Sequence, residues 1–192
     1  ALVGDSHALH LYPALAEYLP QRNVAWFDSQ GVPDDSNPFA REIASFISED
    51  AGLETVIVSA MWGLRGVDEM RLSSFVESLT ESGKKVFIVD DLPEFPFDPF
   101  TCAYQVSILA SSLCEMPRSR WDERFNEYRQ SLDIIAARNP EVSIIGTNEA
   151  ICSDTSCSML QSGGVVYGDA NHLNWRGSKH VVKHLLEEVD LS

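Results

Sequence analysis

The chain has 192 residues, with 14 Lys and Arg against 29 Asp and Glu, a formal net charge of −15. Hydrophobic residues at 44% suffice for a folded core, and a single domain over residues 1–192 is the expected organisation. The carboxylate excess and the lack of a basic stripe exclude a nucleic-acid binder and a polybasic membrane anchor. The longest apolar runs, such as Thr55–Met61 and Val86–Val89, fall short of the roughly 20 residues a bilayer span needs.

Ala1-Leu2-Val3 opens directly as a strand, which suggests an excised domain or a processed product. A helical stretch over about Ala8–Tyr18 follows, perturbed by Pro13, and then a second strand, Val24–Asp28. Asn37-Pro38 is a helix start, a capping side chain followed by a first-turn proline; Ile43, Phe46 and Ile47 are spaced to share one face. Thr55–Ala60 is β-branched and apolar, as expected of a parallel strand covered on both faces. A helix over Asp68–Ser82 is closed by Gly83 in a left-handed cap, and Lys85–Val89 is a fourth strand.

Asp90–Phe100 carries three prolines and three phenylalanines and is expected to be a loop whose aromatics cover a core edge or line a groove. Trp121–Arg138 is a long helix with Phe125, Tyr128, Leu132 and Ile135 in phase. Val142–Gly146 is a fifth strand. The last helix, about Arg176–Val189, turns Val181, Val182, Leu185, Leu186 and Val189 inward. Alternating strands and helices predict an α/β fold, a parallel sheet with helices on both faces in three layers.

The four cysteines fall in two local pairs, Cys102 with Cys114 and Cys152 with Cys157, although three connectivities are open to them. The spacings are wrong for C-x2-C zinc ligation, so two disulfides and an oxidising compartment are expected; four reduced, buried thiols in a cytosolic protein are the alternative.

In an open α/β sheet, ligands bind beyond the carboxyl ends of the strands. After the first strand comes Gly4-Asp5-Ser6-His7, where Ser6 falls at a strand-to-helix junction. A serine hydroxyl needs a base, and Asp169-Ala170-Asn171-His172 precedes the last helix. A carboxylate three residues before a histidine can accept its Nδ1–H and leave Nε2 for Ser6, giving a nucleophile, a base and an orienting carboxylate. The plain alternative makes Ser6 a helix cap and His172 a structural histidine.

Gly4-Asp5-Ser6-His7 and Asp169-x-x-His172-Leu173 resemble the first and last signature blocks of the SGNH (GDSL-like) hydrolase superfamily. The His after the serine, the Cys-x4-Cys loop and the stretch Val165–Leu173 are similar to the SGNH domain fused to membrane acyltransferase family 3 proteins. The resemblance implies a flavodoxin-like α/β/α sandwich with Ser6 as nucleophile, His172 as general base and Asp169 as its partner. It implies oxyanion donors at the Ser6 amide and at Gly31 or Gly63. The third block of the family normally supplies an asparagine; Ser59-Ala60-Met61-Trp62-Gly63 has none. Trp62 could stack on a sugar, with His7 and Asn171 beside it; Trp62 could equally pack under a loop, and His7 could be a solvated first-turn residue.

The resemblance further implies O-acyl transfer, most simply of acetyl, to a bacterial surface polysaccharide such as lipopolysaccharide. The donor would come from a membrane-embedded partner domain, and the site would lie outside the cytoplasm. A stand-alone carbohydrate esterase and a non-catalytic glycan-binding or docking module are the alternatives. No cofactor is called for. His180 and His184 are four apart but lack a third ligand, and Asp34-Asp35 and Asp90-Asp91 lack EF-hand spacing and are expected to be solvated, so no metal site is assigned.

Overall fold

The computed structural model describes residues 1–104 and 114–189. Its elements in chain order are β1 (Leu2–Gly4), α1 (Ser6–Leu9), α2 (Tyr12–Tyr18), β2 (Trp26–Asp28), α3 (Pro38–Glu49), β3 (Thr55–Ser59), α4 (Trp62–Arg65), α5 (Glu69–Glu81) and β4 (Lys85–Val89). They continue with α6 (Pro99–Tyr104), β5 (Glu115–Pro117), α7 (Arg118–Arg138), β6 (Val142–Ile145), β7 (Ser156–Ser158), β8 (Leu160–Gln161), β9 (Gly164–Val165) and α8 (Trp175–Glu188). The strands β2-β1-β3-β4-β6 form a parallel sheet in that order. Helices α3, α5 and α7 pack in sequence beside one another, while α2 packs on α8. The expected α/β/α arrangement is therefore present.

β1, β3 and β4 are almost continuously buried, because helices cover both faces of a parallel sheet. The chain leaves β1 for β2 on one side and returns to β3 on the other. This reversal makes the end of β1 a topological switch point, the position at which open α/β sheets bind ligands. Gly4 is required there: it has φ +150°, and a Cβ would stand 1.7 Å from the Ser59 carbonyl oxygen of the neighbouring strand.

Several local expectations shift. The first helical stretch divides into α1 and α2, with Pro13 in the opening turn of α2, where a missing N–H is harmless. Asn37 caps α3 as expected, accepting hydrogen bonds from the Phe39 and Ala40 amides. The buried face of α3, however, is Ala40, Ala44 and Ile47; Phe46 is exposed and packs on Phe27 at its edge. Gly83 takes the left-handed conformation beyond α5. The loop after β4 ends in α6, and its Phe95 is a core residue. The antiparallel pairs β5–β7 and β8–β9 add to the expected elements; their strands are only two or three residues long, too short to show a period in the sequence.

Both expected disulfides, Cys102–Cys114 and Cys152–Cys157, are formed. Among the described residues, no helix is long and apolar enough to cross a membrane.

Candidate active site

The site begins with Asp5, not Ser6, as the cap of α1. Asp5 Oδ1 accepts the His7 amide at 2.9 Å, and Oδ2 accepts the Met61 amide at 3.3 Å and Arg65 Nε at 3.0 Å. One buried carboxylate thus turns the chain out of β1 and ties it to the segment after β3. Ser6 becomes the first helical residue, exposed, its amide among those a helix leaves without an intrahelical acceptor.

His172 is delivered by the loop between β9 and α8. The loop is fixed by Gly168 N to His172 O (2.8 Å), Phe95 N to Ala170 O (2.8 Å) and Asn174 N to Val166 O (3.1 Å). The Asn174 side chain donates to the Val165 and Tyr167 carbonyls and caps α8 through the Gly177 amide. Phe95 stacks edge-on against Tyr167, so the phenylalanine-rich loop covers the core beneath this segment. Asp169 Oδ1 accepts the Asn171 and His172 amides at 3.0 and 2.8 Å, a tight turn that brings carboxylate and imidazole together.

His172 Nε2 lies 2.9 Å from Ser6 Oγ, and its Nδ1 lies 2.9 Å from Asp169 Oδ2. Because a carboxylate only accepts, Nδ1 carries a proton and Nε2 faces the hydroxyl as acceptor. Desolvation opposes ionisation of Asp169, but the amides of Asn171 and His172 and the imidazole outweigh it and hold its carboxyl below the usual range.

The other expected contributors divide. The loop carrying Gly31 is anchored to β1 by Ser29 N to Gly4 O (3.1 Å), with Ser29 Oγ donating to the Gly31 carbonyl and Asn37 Nδ2 to the Ser29 and Val32 carbonyls. The Gly63 amide is committed to Asp91 Oδ2 at 3.1 Å, which removes it as an oxyanion donor. Trp62 is 0% exposed and its Nε1 donates to the Val89 carbonyl, so its ring has no face for a sugar and packs beneath the loop. His7 is buried rather than solvated. Asn171 is half-buried, its Nδ2 3.9 Å from Met61 Sδ.

Asp90 and Asp91 are also buried, not solvated. Asp90 accepts from Thr147, Asn148 and Arg129, while Asp91 bonds the His7 ring. His180 bonds the Ala150 carbonyl, and His184 faces Glu188 at 3.9 Å. Among the described residues, no group of three or more potential ligands is gathered for a metal ion. Arg65 and His10 have no signal in the sequence, and Asp91, expected to be solvated, is instead a buried partner of His7; its place two residues beyond the end of β4 is the feature that marks it.

A serine after the first strand of a doubly wound sheet, met by an Asp-x-x-His from the segment before the last helix, is the arrangement of an SGNH-type α/β/α domain. The chain belongs to the family described as the SGNH domain fused to AT3 domains, whose sequence model matches residues 1–187.

A similar solved structure is the periplasmic domain of a lipopolysaccharide acetyltransferase from Salmonella ser. Paratyphi A: 17% identity, TM-score 0.66, covering 97% of this chain and 80% of that one. A candidate platelet activating factor from Streptococcus pneumonia is similar at 12% identity and TM-score 0.57, covering 97% and 81%. A candidate acylhydrolase from Bacteroides fragilis NCTC 9343 is similar at 12% identity and TM-score 0.54, covering 97% and 83%. At these identities the likeness shows the fold. No curated protein matches this chain.

Proposed function

We propose that this domain transfers an acyl group, most simply acetyl, to a hydroxyl of a bacterial surface polysaccharide through an acyl-Ser6 intermediate. The observation that carries the reading is the line of contacts Ser6 Oγ–His172 Nε2 and His172 Nδ1–Asp169 Oδ2, each 2.9 Å. His172 takes the Ser6 proton as Oγ attacks the acyl carbonyl, and Asp169 stabilises the imidazolium that forms. The oxyanion is received by the Ser6 amide and, from the adjoining loop, the Gly31 amide. As the tetrahedral intermediate collapses, the donor oxygen leaves with the proton held by His172. An acceptor hydroxyl then gives its proton to His172 and attacks the ester, and Ser6 is released by the same steps in reverse.

Family membership supports a donor passed from an AT3 domain. The two disulfides and the periplasmic Salmonella neighbour support a position outside the cytoplasm, tethered through that partner. Asn171, half-buried beside Met61, is the substrate-contacting candidate left at the rim.

Exposure of Ser6 favours a second reading, a carbohydrate esterase in which water resolves the ester. Incubation with p-nitrophenyl acetate, with and without an oligosaccharide acceptor, separates the two. Transfer predicts acetylated glycan at the expense of acetate; acetate alone with every acceptor selects the esterase. No turnover and no acyl-Ser6 adduct by intact mass would select a non-catalytic docking module, the role that a chain lacking the third-block asparagine could also fill.

A further inference from the structure

α1 carries more than the serine. His7 is 2% exposed, and its Nδ1 meets Asp91 Oδ1 at 2.7 Å. Asp91 is held in turn: its Oδ2 accepts the Gly63 amide, its Oδ1 the Leu92 amide, and its own amide donates to the Tyr128 hydroxyl. The ring of His7 packs edge-on against that of His172, centroids 5.2 Å apart and planes at 67°. One turn on, His10 lies 5.1 Å from His7 and 6.2 Å from His172, and its Nδ1 accepts the Leu173 amide at 3.4 Å. That acceptor role requires an unprotonated Nδ1. Burial and the two neighbouring imidazoles accordingly hold His10 well below the ordinary histidine value.

We propose that the His7–Asp91 pair is a positioning unit for His172, a second imidazole–carboxylate couple that braces the catalytic ring and tunes its hold on a proton. The proposal rests on the reading of His172 as base. A phenylalanine would fill the volume of His7 without burying a polar atom, yet His7 Nε2 is buried with no partner among the described residues. The groups around the pair are Asp5, Asp91 and Asp169, the imidazoles of His10 and His172, the phenols of Tyr128 and Tyr167, Arg65 on Asp5, and the neighbouring Asp90, which burial pushes up to about 7 and which pairs with Arg129. Both phenols are pushed up by burial and stay neutral. Burial opposes protonation of His7, but the Asp91 hydrogen bond and the three carboxylates outweigh it and lift His7 above the ordinary histidine value. A protonated His7 beside His172 disfavours a second cation there and keeps the base available as pH falls.

The test compares wild type, His7→Phe, Asp91→Asn and Ser6→Ala on p-nitrophenyl acetate across pH, with histidine ring signals followed by NMR in parallel. In His7→Phe the acid limb of kcat/KM should move up by about one pH unit, an activity loss of about tenfold at pH 5 but within about threefold at pH 9. The pH at which the His172 ring signals change should move with it. Asp91→Asn, nearly isosteric, should shift both in the same direction and carries the test if His7→Phe does not fold. An equal loss at every pH, or ring signals of His172 that change at the wild-type pH in both variants, overturns the proposal. Turnover that survives Ser6→Ala would instead overturn the catalytic reading, and the ring signals would still decide the bracing.

Discussion

Ser6 and His172 are 166 positions apart in the chain and 2.9 Å apart in the fold. The contact joins the first turn after β1 to the last loop before α8, so it exists only once the sheet and the α2–α8 packing are complete. Ser6→Ala should lower ester turnover by about 10³-fold or more, because nucleophile and base act as one unit. Its fold should be intact, since Asp5 rather than Ser6 caps α1. Unchanged far-UV circular dichroism with undiminished hydrolysis would remove Ser6 from the chemistry.

Asp169 should not limit activity in acid. Its carboxyl is held below the usual carboxylate range, so it stays charged as the solution is acidified. With Asp169 still charged, loss of activity on acidification should come from the base and not from its carboxylate partner. Asp169→Asn should cost about 10²-fold or more by losing the correct tautomer of His172. A profile flat to pH 4 would show that the imidazole is not the base.

Gly177 lets α8 approach the strand-side segment that carries the Asp169–His172 loop. A Cβ there would stand 1.9 Å from the Val166 carbonyl oxygen, and that backbone cannot yield cheaply. Gly177→Ala should destabilise by about 3 kcal/mol or more in urea unfolding, despite the better helix propensity of alanine. A stability equal to wild type would mean that α8 seats without the close contact.

Trp62 tests packing against recognition. Trp62→Phe removes the hydrogen bond to Val89 and part of a filled volume, and should cost about 2 kcal/mol of stability. Acceptor KM should be unchanged where the variant is folded. A selective rise in acceptor KM would restore the ring to the glycan site.

The order of strands and helices was legible because buried parallel strands are locally apolar and helices repeat their apolar face. The two ends of the site were legible because Gly4-Asp5-Ser6-His7 and Asp169-x-x-His172 are short motifs with local geometry: Gly4 must lack a side chain, and Asp169 bonds amides two and three residues on. What periodicity could not separate was burial among residues of similar type, as Phe46 outside and Trp62 inside show.

By itself the sequence determined the α/β/α arrangement and the candidate serine, carboxylate and imidazole; it favoured two local cysteine pairs, which the structure then formed. Only the tertiary structure decided that Asp91 reaches across 84 positions to His7, and that this same carboxylate takes the Gly63 amide from the pool of oxyanion donors. Such pairings are set by which loops the sheet brings to its carboxyl edge. Burial of a charged or polar group depends on neighbours that no local pattern encodes.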